Sequence, residues 1–451
     1  MKLKKIYQPL LVNVHISIKM ALLFVVMLLS ITANAQTWTL HQCLDTAQMH
    51  NKNLQMSRNL QQLSGEREKE AKANVLPKLK LNADYKYFSD LPYQIMPQSA
   101  FGGPVGQFKE IQMGVPHNIG TNIQLNMPLY NSQIFNGIEA TKIASEITDL
   151  QYKKTEEQVF YEISNLYYNA QILIHQLIFL DSNVVNTDQL LNTLTLLHEQ
   201  LMVKRSDVTK VELQKQQLLT NRERVAISYE QVMNALKFSM GVPLEKEIRI
   251  KREIISQSPV DYPQMLPLDL RLTQTQNKLL NNELNSLKMS RLPTLMLLGS
   301  YGQTGFGYDE KPNEFLKFYP TTFVGLQFSM PLFNGTITQR KISQKKLEIK
   351  NNQLQIELVQ EQNKMQVHNA LRKRMLAGQT IENSDGQIKL ASTIYQEMLL
   401  QQREGTANLT EILLADNALR EAQQSYLSAI VDYLKADLEL KKLTGNITIK
   451  N

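Results

Sequence analysis

The chain has a single cysteine, Cys43, among 451 residues, so no intramolecular disulfide can staple it. Beyond residue 35 no apolar run approaches the roughly 18 residues of a helical membrane span. That absence excludes spanning helices and leaves membrane strands open, because their signal is much weaker per segment. Signatures of catalysis are also missing: no GxxxxGK[ST], HExxH, GxSxG or CxxC pattern occurs. Gly305-Phe306-Gly307 is a glycine-loop fragment without a helix start after it. The seven histidines, His15, His41, His50, His117, His175, His198 and His368, show no metal-ligand spacing. The 18 methionines carry thioethers that suit Cu(I), but they form no cluster and read as filler in helix packing. The sequence therefore predicts no enzyme, no cofactor and no metal site.

One apolar stretch stands out at the start. Met20 to Ile31 follow a basic segment with Lys2, Lys4, Lys5 and Lys19, and lead into Ala33-Asn34-Ala35. This order describes a secretory signal peptide over residues 1–35, cut before Gln36. An anchor helix would need about 20 apolar residues, and Lys19 blocks extension backward. Removing the leader takes away four lysines and no acid, and the formal charge falls from +7 to +3. No run of five Lys/Arg survives export, so nucleic acid is not a predicted partner. Cys43 lies too far beyond the cut to carry a lipoprotein anchor.

Much of the remaining chain has helical character and little punctuation. From Asn131 to Val203 there is no proline and only Gly137; from Asn334 to Arg403 there is again no proline, and glycine occurs only at Gly335, Gly378 and Gly386. Each run is long enough to span roughly 100 Å as a helix, far beyond what a compact domain uses. The 43 Gln and 34 Asn wet such helices without building a strong field. Val211, Leu218, Val225 and Val232 recur every seven residues, as do Ile412, Leu419, Tyr426, Tyr433 and Leu440.

The chain is also written twice. Leu76-Pro77-Lys78-Leu79 matches Leu292-Pro293-Thr294-Leu295, and Leu125 to Asn131 matches Phe328 to Asn334. Val208-Thr209 matches Leu409-Thr410, and Leu236 to Gly241 matches Leu440 to Gly445, at offsets of 216, 203, 201 and 204. Each half holds two segments of strand periodicity. Leu79, Leu81, Ala83, Tyr85 and Tyr87 alternate with Lys80, Asn82, Asp84 and Lys86; Ile119 to Leu129 alternate with Gly120, Asn122, Gln124 and Asn126. Leu295 to Tyr301 form a weaker strand, and Thr322 to Met330 alternate with Phe323, Gly325, Gln327 and Ser329. Segments of about ten residues cross a bilayer when tilted. Ser89–His117 and Gln303–Pro320 read as loops, Pro128 and Pro331 as strand ends, and Asn131 and Asn334 as N-caps of the long helices. Four membrane strands cannot close alone, since the smallest spanning barrels have about eight. Several copies must share one barrel, with Lys80, Asn82, Asp84, Lys86, Asn122, Gln124, Asn126 and Gln327 in a wet lumen.

With this duplicated order, the opening Thr39-Leu40 to Ala47, the two Met-Pro-Leu-aromatic-Asn junctions and the Arg403 to Leu413 turn, the chain resembles the TolC-like outer-membrane efflux proteins. The resemblance implies a mainly α fold with a small membrane β-barrel portion, a homotrimer whose twelve strands form one barrel, and a periplasmic helical tube below it. It implies residues 36–241 as a first repeat (strands 78–88 and 118–130, long helix 131–203, tip turn 204–207), then an equatorial linker, 242–267. Residues 268–451 form the second repeat (strands 294–302 and 321–331, long helix 334–403, tip turn 403–407). It implies an exit duct in the outer membrane, in contact with its lipid and reaching into the periplasm. Such a duct passively conducts substrates of a tripartite efflux or type I secretion system, exported by an inner-membrane pump through a periplasmic adaptor. The tip turns Lys204-Arg205-Ser206-Asp207 and Arg403-Glu404-Gly405-Thr406 would dock the adaptor, with Lys204 standing where the second turn has its glycine. Ser206 or Asp207 is equally well placed as a helix N-cap. Glu199 and Glu397 are candidates for an acidic gate above the tips. The competing reading is a periplasmic coiled-coil structural or adaptor protein of an export complex, which has no need of strands with an apolar outer face.

Overall fold

A computed structural model describes residues 37–254, 261–307 and 318–447; the leader predicted over residues 1–35 lies outside the described residues. The chain divides into two compact units. One comprises residues up to Arg58, Tyr152–Leu268 and the chain from Gln360 onward; the other comprises Asn59–Gln151 and Asp269–Val359.

The described elements run β1 (Thr37–Trp38), α1 (Leu40–His50), α2 (Lys52–Ala73), β2 (Lys78–Tyr87), β3 (Tyr93–Pro97), β4 (Phe108–Gln112) and β5 (His117–Tyr130). They continue with α3 (Ser132–Glu199), α4 (Arg205–Met240), β6 (Arg249–Ile250), α5 (Leu268–Met289), β7 (Thr294–Gly307), β8 (Phe318–Ser329), α6 (Ile337–Arg403) and α7 (Leu409–Leu443). None of these helices is long and apolar enough to cross a membrane.

The smaller unit carries one antiparallel sheet in the order β2-β5-β7-β8, so β2 and β8 are its edges. Asn131 opens α3 by accepting from the Gln133 amide at 3.0 Å, which satisfies one of the helix's orphan donors. Pro128 does not end its ladder as expected. It pairs with Met296 beside a bulge, and β5 continues to Tyr130; a bulge is where a strand accommodates a residue without a donor. Asn334 is not the N-cap of α6 either. Gly335 and Thr336 both take positive φ, 63° and 69°, and α6 starts only at Ile337. The expected loop 89–117 holds a two-stranded ribbon, β3 paired with β4, closed by a short 3-10 turn at Gln98–Phe101. Its strands are five residues each with weak alternation, so the Gly and Pro content of the segment masks them in the sequence.

The larger unit is built on helices and a small parallel bridge, Thr37 to Arg249 and Trp38 to Ile250. Its core gathers Cys43, Ala47, Leu54, Phe160, Ile163, Tyr167, Leu236, Met240 and Leu438. Burial pushes the Cys43 thiol up to about 12, so this cysteine is a small core hydrophobe with negligible thiolate character. Thr39 and Gln42 close a capping box on α1. Asn51 then serves two elements: its carbonyl accepts from the Leu54 amide at 3.0 Å and its amide donates to the Ser239 carbonyl at 2.6 Å. Gly241, at φ 72°, ends α4 so close to α1 that a Cβ would sit 2.3 Å from the His50 carbonyl oxygen.

Beside this core, Tyr262 pins the linker segment to the helices. Its hydroxyl donates to both oxygens of Asp437 at 2.9 Å. Arg374 and Lys441 reach the same carboxylate at 3.1 and 3.3 Å and lie over the Tyr262 ring. Two hydrogen-bonded partners, Tyr262 and Arg374, and the nearby Lys441 cation offset the burial of this carboxylate.

Candidate functional sites: helical tips and strand face

The two helical turns come together at one end of the larger unit. Leu190 and Leu194 of α3, Val208 and Val211 of α4, Ala391 and Tyr395 of α6, and Ile412 and Ala415 of α7 form a single buried cluster. Both turns are built alike. After α3, the Leu201 amide donates to His198 and the Met202 amide to Leu197. After α6, the Gly405 amide donates to Gln402 and the Thr406 amide to Gln401. Each pair of bonds is a Schellman closure with one residue in left-handed conformation: Leu201 at φ 60° and Gly405 at φ 75°.

This geometry corrects the alignment of the two turns. Leu201, not Lys204, is the counterpart of Gly405. Lys204 is the N-cap of α4 with no side-chain capping bond, and its counterpart Asn408 caps α7 through a box with Glu411. Val208 and Ile412, 2% and 0% exposed, are then equivalent, as are the left-handed Gly241 and Gly445 at the far ends. The offset is 204 throughout, where the heptads suggested 201. Three residues are nearly one helical turn, so a buried stripe survives the slip and periodicity cannot detect it. The offset of Leu236 to Leu440 was the signal that could have. Arg205, Ser206 and Asp207 consequently form the first turn of α4, while Arg403 closes α6 and Glu404-Gly405-Thr406 form the second turn. Neither Ser206 nor Asp207 is the N-cap. Glu199 and Glu397 are exposed near the ends of α3 and α6.

A polar layer above the tips was not foreseen. Gln214 of α4 donates to Asp416 of α7, and Arg420 pairs with the same carboxylate oxygen. Asn183 of α3 donates to Gln423 at 3.0 Å. Burial raises the Asp416 carboxyl above its ordinary value, opposed by Arg420 and by the Gln214 bond. Burial, and then the charge of Asp416, pushes Tyr395 up to about 12. Asp416 and Gln423 interrupt the second heptad series at its d-type positions, but the spacing does not tell which distant side chains meet them.

The sheet has two unlike faces. Lys78 pairs with Asn126, Lys80 with Gln124, Asn82 with Asn122, Asp84 with Gly120 and Lys86 with Asn118. Asn82 and Asn122 are joined at 3.0 Å. Gln327 pairs with Met296, itself opposite Pro128, which places it on this same face. All eight predicted lumen residues therefore share one side. The other side carries Leu79, Leu81, Ala83, Tyr85, Ile119, Ile123, Leu125, Leu297, Val324, Leu326 and Phe328 and not one Asp, Glu, Lys or Arg. Most of these side chains are exposed, Leu79 and Val324 at 72% and 77%, and they lie side by side on one sheet.

The chain is similar to several known proteins. Residues 268–446 match the family model described as outer membrane efflux protein. Outer membrane protein TolC of Salmonella enteritidis is 20% identical over 427 residues, covering 92% of this chain and 83% of that protein. Among solved structures, CusC superimposes with a TM-score of 0.76 at 13% identity, covering 90% of this chain and 91% of its own. The CmeC outer membrane channel of Campylobacter jejuni gives 0.74 at 14% identity, with 90% and 85% covered. VceC of Vibrio cholerae gives 0.74 at 14%, with 90% and 96% covered. The fold is thus that of these channels over nearly the whole chain, and its second part, residues 268–446, is similar to the outer membrane efflux protein family.

Proposed function

We propose that this protein is the outer-membrane exit duct of an efflux system, a passive channel rather than an enzyme. The sheet carries this reading: an uncharged, exposed apolar face backed by a polar one, with two open edges, β2 and β8. An open edge in lipid leaves backbone groups unpaired at several kcal/mol each, so further copies must complete the wall. Three copies, each lending four strands, make the twelve-stranded barrel of a homotrimer. The helices of the larger unit form the periplasmic tube, and the 242–267 segment its equatorial region. The twin tips, Lys204–Asp207 and Arg403–Thr406, dock a periplasmic adaptor, with Leu201 and Met202 added to the first by its Schellman turn. Glu199 and Glu397 narrow the tube above them. Energy comes from an inner-membrane pump.

Cysteines at Leu81 on β2 and Val324 on β8 lie on opposite edges of one chain, so a short bismaleimide can join them only between copies. The expected product in intact envelopes is a covalent trimer that resists carbonate extraction. Release by carbonate as a monomer would sink the duct. Cysteines at Ser206 and Thr406 should crosslink to the adaptor; their labelling from the cell exterior would invert the orientation.

A further inference from the structure

Every charged residue of the described four-stranded sheet lies on β2 and on its polar face: Lys78, Lys80, Asp84 and Lys86. Asp84 is held by Lys86 at 3.2 Å, which leaves that level of the strand neutral. Lys78 is satisfied by a neutral group, the Asn74 side chain at 2.9 Å. Lys80 faces Gln124 and has no carboxylate within ion-pair distance among the described residues. The charge on this face is therefore uneven. Two uncompensated ammonium groups stand at the helix-proximal end of β2. The neutral Asp84–Lys86 pair lies about 15–20 Å further along the strand at roughly 3.3 Å per residue. Opposite and beside the lysines the register supplies only Asn126, Gln124, Leu298 and Ser300, so no neighbouring strand of the same chain neutralises them.

We propose that Lys78 and Lys80 form a basic collar at the helix-proximal end of the barrel strands, and that it gives the barrel a preference for anionic solutes, those bearing carboxylate, phosphate or sulfonate groups. The proposal rests on the duct reading, since it takes three copies to set six ammonium groups around one lumen. Within a water-filled bore walled by low-dielectric material, like charges focus the field and raise the local concentration of counter-ions. Rings of Lys or Arg are what anion-conducting pores use. The collar is separate from Glu199 and Glu397, which belong to the other unit and carry the opposite charge. The effect weakens with salt, as the Debye length shortens from about 10 Å at 0.1 M to about 3 Å at 1 M.

The test uses the full-length mature trimer in planar bilayers of phosphatidylcholine, with inorganic tripolyphosphate added from the barrel side. Tripolyphosphate should reduce the wild-type current at low salt, and the half-blocking concentration should rise at least tenfold in the Lys78→Gln/Lys80→Gln double variant. Lys80→Arg should retain the block. Lys80→Glu should lose it and acquire block by spermine, a gain that misfolding cannot mimic. Equal block of wild type and double variant, or no spermine block in Lys80→Glu, would overturn the collar while leaving the duct intact. Absence of any conductance from wild-type trimers would overturn the duct and the collar together.

Discussion

Leu201 and Gly405 occupy the same position in two turns of the same design, and only one of them is suited to it. An L-residue in left-handed conformation costs about 1–2 kcal/mol, and Leu201 adopts φ 60°. Its side chain recovers almost nothing in return, being 90% exposed; at roughly 25 cal/mol per Å² of apolar surface the tenth that is covered contributes a few tenths of a kcal/mol. Leu201→Gly should therefore stabilise the first tip by about 1 kcal/mol, and Gly405→Leu should destabilise the second by a similar amount. The global unfolding of a long helical protein would dilute so local an effect. Native-state hydrogen exchange reads it directly, because the Leu201 and Met202 amides donate to His198 and Leu197 and open with the turn. About 1 kcal/mol corresponds to roughly fivefold in their protection factors: higher in Leu201→Gly, and lower at Gly405 and Thr406 in Gly405→Leu. If the two swaps change protection in the same direction, or Leu201→Gly lowers it, the left-handed assignment is wrong. Under the docking role proposed for this tip, the stabilised variant should bind adaptor less well, a trade common at functional sites.

Gly241→Ala places a Cβ 2.3 Å from backbone of α1 at φ 72° and should cost well over the backbone penalty of about 1–2 kcal/mol, visible as lost protease resistance. Gly405→Ala meets nothing within 4 Å and is the matched control for the backbone penalty alone. Asn408→Ala removes the capping box with Glu411 and should lower amide protection in the first turn of α7 by about 1 kcal/mol. Ile412→Ala, at a fully buried position, should cost about 2–5 kcal/mol, read from the denaturant midpoint. The Asp416 carboxyl has its value raised by burial, so the folded state holds this proton more tightly than the unfolded chain. Its contribution is most favourable below the unfolded value and declines as pH rises through the folded one. Asp416→Asn should flatten that part of the profile, giving a smaller fall in melting temperature as pH rises above the ordinary carboxylate value; an unchanged profile would place the titration elsewhere.

Much of the fold was legible because two periodicities belong to the backbone itself. Side chains alternate along a strand, so the pattern Leu79 to Tyr87 displays the two faces of β2 before any partner is known. Heptads such as Val211, Leu218 and Val225 display the buried stripe of α4 for the same kind of reason. Other features were hidden by that very regularity. A helix stripe repeats each turn, so the alignment of Val208 with Ile412 can slip by three residues, which hides Leu201 as the partner of Gly405. The missing donor of Pro128 predicts a strand end, yet one bulge in the ladder with β7 accommodates it.

By itself the sequence determined the export leader as an expectation, the mainly helical class, the duplication, and which side chains of each strand share a face. These follow from local chemistry: propensity, spacing and the two-residue and 3.6-residue repeats. Only the tertiary structure decided the joining of both turns at one end, the Gln214–Asp416–Arg420 layer, the Tyr262 clasp on Asp437 and the strand order that leaves β2 and β8 as edges. Each of these depends on residues far apart in the chain, such as Gln214 and Asp416, whose meeting is set by helix packing and ladder register, and no local pattern records which distant side chain will face a given one.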